Sequence, residues 1–536
     1  VSSIALTGRV PDGVPYVTRY TPNAMVGSVD NLATEAGVEM LRRGGNAVDA
    51  ALAANAVLTV VLPNQCGLGG DLFALVHHNR ERPVALNASG WTGSGADPTV
   101  LRRAGHTRMP PSGEIASVPI PGCVDGWVEL QRRFSNLPLQ EILEPARRYA
   151  HDGFPASPFL VQAIPKIANT AAASELAPDG TLSPGQVIQR PGMARLLAGI
   201  GSGGRENFYE GEFGQGLIRM GRGLYTEQDL SRVQAEWVTP LGMRVWGRDV
   251  WTAPPNSQGY LLLSAAWIAE RLDLPTPEDP LWAHLLIEAA RQAAFDRPEV
   301  LHERADGEAL LSPTRLQPRL SAISRSNVAD LTDRYMQGGT TYLCAVDKDG
   351  MSVSLIQSNA MSFGSGLVVE DTGVFLQNRG IGFSLEEGHP AEYGPGRRPP
   401  HTLSPVLVTN PDRSLHAVLG IRGGDSQPQV LLQLLVRLLK HDQDPAEAMA
   451  AGRWILRGTD DATSFNTWGY SGSVRTALEG QSPQSWPDAL RSLGHTVEVD
   501  PSYDHPFGHA QIILSDGERL AGAADPRALS GSIGGY

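Results

Sequence analysis

From Asp49 to Val61 the chain is apolar almost without interruption; Asn55 is the polar exception, and Pro63 ends the run. The pattern suits a helix, and a helix without a polar stripe has no face to give to water. It is also too short to span a bilayer. Whatever this chain folds into must therefore enclose that helix. Ahead of it, Ala33, Val38, Met40 and Leu41 recur at roughly helical spacing and Gly44-Gly45 stops the run, so residues 31–63 read as two helices. Behind it, Gly67-Leu68-Gly69-Gly70-Asp71 reads as a tight turn and Leu72 to His77 as a strand.

The remainder alternates in texture. Residues 124–200 read as mostly helical, with breaks at Pro145, Pro155, Pro158 and Pro184, and residues 258–297 as helical again. Residues 305–339 are polar and irregular, an expected exposed loop that ends in Gln337-Gly338-Gly339. Then strands take over. Thr341–Val346 and Met351–Gln357 flank Asp347-Lys348-Asp349-Gly350, a hairpin signal. Further strand-like runs lie at Gly366–Val369, Gly373–Leu376 and Leu415–Leu419, with a helix expected at Gln427–Lys440. Helices followed by strands and mixed elements point to a layered protein with mostly antiparallel strands.

Composition narrows the function. A net charge of -13 and a pI near 5.5 argue against nucleic-acid binding, which needs a basic face. Cys66, Cys123 and Cys344 match no metal-binding spacing and read as buried thiols. His77-His78 occupy adjacent positions that face opposite ways on a strand. Gly199-Ile200-Gly201-Ser202-Gly203-Gly204 fits a dinucleotide-loop pattern on paper, but no strand precedes it, so a loop is expected. No G-x-S-x-G elbow and no HExxH occur. No metal, organic cofactor, nucleic acid or membrane partner is expected. Val1–Val10 has no basic region followed by an apolar one. A cytoplasmic location is the expectation, with a periplasmic or secreted one open should a leader have been removed.

Several ordered segments together resemble the γ-glutamyltransferase family: Ala33-Thr34-Glu35-Ala36-Gly37, Gly44 to Ala51, Gly67 to Asp71, Gly339-Thr340-Thr341-Tyr342, Val346 to Gly350, Phe363 to Gly366, Arg398-Pro399, Leu403-Ser404-Pro405, Gly423-Gly424, Ala524 to Arg527 and Gly535-Tyr536. They run nearly the whole chain. The resemblance implies an α+β fold, the four-layer αββα sandwich of the N-terminal-nucleophile hydrolases. It also implies a precursor that cuts itself between Gly339 and Thr340, giving a large subunit 1–339 and a small subunit 340–536 that stay intertwined; a higher oligomer remains open.

An N-terminal threonine carries its own base, since an α-amine has a pKa of roughly 7.7–8.0, near the value suited to a general base. Thr340 would thus supply nucleophile and base together. The resemblance implies that Thr341 and Ser358, the hydroxyl eighteen residues on, hold Thr340 in place. It further implies that the N–H groups of Gly423 and Gly424 form an oxyanion hole. His401-Thr402 stands where γ-glutamyl enzymes have a serine pair that contacts substrate; Thr402 keeps a hydroxyl, and His401 either lines the pocket or packs.

The departures concern substrate. Ile381 and Gly382 occupy the positions of the acidic pair that takes the glutamate amine, and Ser89 falls where an arginine takes its carboxylate. In their place stand Arg379 and Arg422, with Arg397 and Arg398 close in sequence; guanidinium groups pair with carboxylates. The expected activity is hydrolysis of an amide whose acyl group carries a carboxylate, glutaryl-like, through an acyl-enzyme. Alternatives are γ-glutamyl hydrolysis or transfer, C–C bond hydrolysis in a natural-product pathway, and a non-catalytic scaffold. The short Leu385–Arg397 segment suggests an open pocket that favours water over an amino-acid acceptor.

Overall fold

The computed structural model describes residues 16–168, 173–331, 338–458 and 474–536. Val1–Val10 and Gln337 lie outside the described residues. Within them, the apolar run forms the helix Ala47–Val61, and every one of its residues is buried. Asn46 caps it: its side chain accepts from the Val48 and Asp49 N–H groups, and the Asp49 carboxylate accepts in return from Asn46 N at 2.8 Å. The single interior amide is fully used. Asn55 donates to Gln357 Oε1 at 3.0 Å and accepts from Trp127 Nε1 at 2.7 Å, so its burial leaves no polar group unmet.

Two seven-stranded sheets form the centre. One runs Ser532–Gly535, Met25–Ser28, Gly339–Val346, Ser352–Ala360, Asp71–His77, Val84–Ala88, Glu236–Val238. The other runs Arg19–Thr21, Leu520–Ala524, Ala510–Ser515, Leu415–Ile421, Val406–Thr409, Arg248–Thr252, Leu241–Val245. Each neighbouring pair within these two sheets is antiparallel. Phe73, Leu75, Tyr342, Cys344 and Ile356 of the first sheet meet Leu407, Val418 and Ile513 of the second in an apolar layer. Helices Asn31–Arg42 and Ala47–Val61 cover the outer face of the first sheet. Tyr260–Glu270, Pro280–Ala294 and Gln427–Leu439 cover the second. The result is the αββα sandwich.

Three local expectations need correction. Pro145 does not break a helix; it lies inside Leu139–Asp152, where Ile142, Leu143, Ala146 and Ala150 form a buried stripe that outweighs one lost hydrogen bond. The glycine-rich segment 199–204 is not a loop: helix Pro191–Gly203 runs through it, anchored by buried Met193, Leu196, Leu197 and Ile200. Residues 305–339 are not uniformly irregular. They include the helices Gly307–Leu310 and Pro313–Ser321, the second tethered where Asp296 takes both Arg315 and Arg319. Among the described residues no helix is long and apolar enough to cross a membrane. All three cysteines are free and buried, and burial pushes the Cys66 thiol up to about 12.

Candidate active site

The site is built on the central hairpin, Gly339–Val346 and Ser352–Ala360. Asp347 organises its turn by accepting from the Asp349 and Met351 N–H groups at 2.9 and 3.0 Å, and its other oxygen accepts from Ala47 N at 2.9 Å. The turn is thereby fastened to the start of the buried helix. At the open end the register slips: Gly339 faces Ala360, but Thr341 faces Gln357. Thr340 thus stands opposite two residues, Ser358 and Asn359, a bulge of the kind that re-aims a side chain.

Thr340 is buried, and its backbone N–H donates to Gln65 Oε1 at 3.1 Å. Its hydroxyl donates to Gly339 O at 2.7 Å and lies 3.4 Å from the Ser358 hydroxyl. Ser358 Oγ donates to the same Gly339 oxygen at 2.6 Å and accepts from Ala360 N at 2.7 Å. Ser358 therefore reaches Thr340. Thr341 does not: its hydroxyl donates to Gln357 O at 3.3 Å, because consecutive strand residues project to opposite faces. Gly70 allows the close packing beside this group, since a Cβ there would fall 2.3 Å from Ser358 O.

A second, charged group adjoins the first. Asp71, paired with Ser358 across the sheet, takes Arg379 Nε at 2.8 Å and His401 Nε2 at 2.9 Å on one oxygen. Arg379 Nη1 donates to Thr402 Oγ1 at 3.0 Å. Burial works against the Asp71 charge, but Arg379 and His401 outweigh it and hold the carboxyl below its ordinary range. Burial first, and Arg379 second, bring His401 down to about 4, so it is neutral at pH 7. Its ring packs edge-on to Phe73 at 4.8 Å. Arg379 is likewise no bare cation: Asp71 balances it.

Gln258 links this group to the glycine pair, its amide nitrogen donating to Thr402 O and Gly424 O at 3.0 Å each. Gly423 and Gly424 adopt φ of +151° and +60°, conformations open to glycine. They follow the strand Leu415–Ile421 and precede the helix Gln427–Leu439, so their N–H groups stand at its positive end. Arg422 is buried, donating through Nη2 to His505 O at 2.6 Å. Thr340 opens onto a cavity of about 520 Å³ whose wall includes Gln65, Phe159, His505, His509 and Arg527.

Residues 33–535 match the model of the gamma-glutamyltranspeptidase family. The chain belongs to that family. It is 34% identical to the glutathione hydrolase-like YwrD proenzyme of Bacillus subtilis, over 95% of this chain and 98% of that one. It is 33% identical to the oxamate amidohydrolase proenzyme of Klebsiella pneumoniae, over 97% and 100%. The crystal structure of cephalosporin acylase from Bacillus halodurans superposes with a TM-score of 0.89 at 31% identity, covering 98% of this chain and 99% of that one. The protein is thus an enzyme of the N-terminal-nucleophile hydrolase type within the gamma-glutamyltranspeptidase family, with relatives named as glutathione hydrolase-like, amidohydrolase and acylase.

Within this family frame, sequence reasoning missed three side chains that shape the site. Gln65 holds the Thr340 amide, Asp71 balances Arg379, and Gln258 ties Thr402 to Gly424. Asp71 closes the Gly-Leu-Gly-Gly-Asp segment, so a carboxylate after a forced turn was a visible signal; its partners, 308 and 330 residues away, were not.

Proposed function

We propose that the protein cuts itself between Gly339 and Thr340 and then hydrolyses an amide whose acyl group bears a carboxylate. The observation that carries this reading is the convergence of the Thr340 and Ser358 hydroxyls on the Gly339 carbonyl oxygen, at the edge of a cavity. In the uncut chain, Thr340 Oγ1 attacks the Gly339 carbonyl carbon. Ser358 stabilises the oxygen as it gains charge, the C–N bond breaks as the departing nitrogen takes up the proton lost by the hydroxyl, and the resulting ester is hydrolysed by water. The freed α-amine of Thr340 then serves as base for its own hydroxyl. In turnover that oxygen attacks the substrate amide, Gly423 and Gly424 N–H groups receive the oxyanion, the amine leaves protonated, and water releases the acid.

The substrate class draws support from what the site lacks and what its relatives are called. Ile381 is buried against Ala360 and Met361, an apolar setting unsuited to a glutamate amine. Ser89 is buried and bonded to Asn87 and Asn256, offering no cation to an α-carboxylate. Oxamate, named for one relative, is itself an amide that bears a carboxylate. Intact mass spectrometry under denaturing conditions is the test of self-cleavage: fragments matching 1–339 and 340–536 are expected, and a single full-length mass would refute it. Glutaryl-p-nitroanilide should be a better substrate than γ-glutamyl-p-nitroanilide; equal kcat/KM values would remove the substrate class.

A further inference from the structure

The cavity in front of Thr340 has one wall that the chemistry above does not use. Phe159, His505 and His509 form it, with the Phe159 ring edge-on to both imidazoles at 5.8 and 5.4 Å. Behind Phe159 the Arg422 guanidinium lies 5.7 Å from the ring centroid, and the Arg422 N–H donates to His509 O at 3.2 Å. The exposed Lys166 stands close enough to feel the charge of Arg422 and to act on His505.

The cations around this wall are only partly offset. Arg527 also borders the cavity, but Glu479 and Asp525 neutralise it. Asp504, which also lines the cavity, accepts the His505 N–H of its own turn at 2.9 Å. Among the described residues, no carboxylate forms an ion pair with Arg422 or Lys166; Asp525 and Asp504 act on Arg422 at longer range, and Arg422 opposes the charge of Lys166. His509 is 4% exposed, lines the cavity, and its Nε2 has no hydrogen-bond partner among the described residues. Burial, with Arg422 and His505 beside it, holds its pKa well below the ordinary value, so the ring is neutral and carries one N–H. A buried imidazole nitrogen without a partner is costly, and an incoming carboxylate that takes its N–H would relieve that cost.

We propose that this wall is the subsite for the carboxylate of the acyl group: His509 donates to it, while Arg422 and Lys166 supply the potential that draws it in. The proposal rests on the reading of the protein as a hydrolase of carboxylate-bearing amides, and it moves the recognition of that carboxylate away from Arg379, which Asp71 already occupies.

The test compares the processed wild type with His509→Phe, His509→Gln and Lys166→Gln on two donors of equal length, glutaryl- and pentanoyl-p-nitroanilide. Losing the donor in His509→Phe should raise KM for the glutaryl compound, and the inhibition constant of glutarate, about tenfold, the usual scale for a charge-assisted hydrogen bond. Its kcat and its constants for the pentanoyl compound should stay put, and His509→Gln, which keeps an N–H, should recover part of the loss. Lys166→Gln, at an exposed position that folding tolerates, should shift the glutaryl KM in the same direction. Unchanged glutaryl constants in both His509→Phe and Lys166→Gln, or equal losses on both donors, overturn the subsite. A wild type indifferent to the carboxylate defeats the substrate class instead. The cavity is then read directly from the imidazole resonances of the uncut Thr340→Ala chain: glutarate that shifts His509 upholds the subsite, and glutarate that leaves it unmoved overturns it.

Discussion

Two hydroxyls share one carbonyl oxygen at the heart of the site, and they are not equivalent. In the proposed self-cleavage Thr340 attacks, whereas Ser358, its orientation fixed by the Ala360 N–H, receives the oxyanion. Thr340→Ala should therefore neither mature nor turn over substrate, and a cut, active variant would sink the mechanism. Ser358→Ala keeps the nucleophile and loses one donor, so processing should slow by roughly 10²-fold, the scale seen for a lost oxyanion-hole donor; a time course of fragment appearance reads this, and an unchanged rate would assign Ser358 a packing role. At this scale the sequence was informative wherever chemistry follows from residue type. Thr340 and Ser358 were legible through the family resemblance, which implies a nucleophilic threonine with a hydroxyl eighteen residues on. Gln65 and Asp71 were not, since an amide 275 residues from Thr340 and a carboxylate 308 from Arg379 acquire roles only through the sheet that joins them.

Among elements, the helix Ala47–Val61 and the central hairpin act as one unit. The hairpin turn supplies Asp347 to the helix N-terminus, and the hairpin strand supplies Gln357 to the helix interior through Asn55. Asn46→Ala removes the cap while leaving Asp347 in place. It should cost about 1 kcal/mol of stability in denaturant unfolding, with kcat and KM unchanged in the folded enzyme; no loss of stability would show that Asp347 alone suffices. Both elements were legible because an unbroken apolar run and an Asp-Lys-Asp-Gly turn each admit few structures. Helix Pro191–Gly203 and the position of Pro145 were misread for a common reason. Local glycine and proline preferences amount to about 1–3 kcal/mol, and buried side chains on the same helices supply more.

Over the whole molecule, buried neutral histidines set the response to acid. Burial lowers His401 and His416 to about 4 and His495 to about 3, each helped by a neighbouring cation or imidazole. In the unfolded chain they titrate near 6.5. Folding therefore gains nothing from these groups by protonation: their contribution is complete above about pH 6.5 and drains away as pH falls toward their folded values, because only the unfolded state takes up protons there. Asp30, pushed up to about 6 mainly by burial, works in the opposite direction. Burial raises Asp125 and Asp347 as well, but His505, brought down to about 3, and His509, held well below its ordinary value, join the other histidines, so Tm should fall steadily from pH 7 to pH 4; calorimetry across that range checks this, and a flat profile would contradict the histidine account.

The order of strands in the first sheet carries a consequence for the cut protein. Strands from before and after Gly339 are shuffled there like two halves of a deck: the last strand of the chain borders one of the first, and the central hairpin is wedged between Met25–Ser28 and Asp71–His77. Severing the chain at Thr340 would make two molecules by mass and one by mechanics. Each piece supplies strands to both seven-stranded sheets, so parting them means breaking both, and the processed enzyme should lose its structure in one step rather than shed a subunit on dilution.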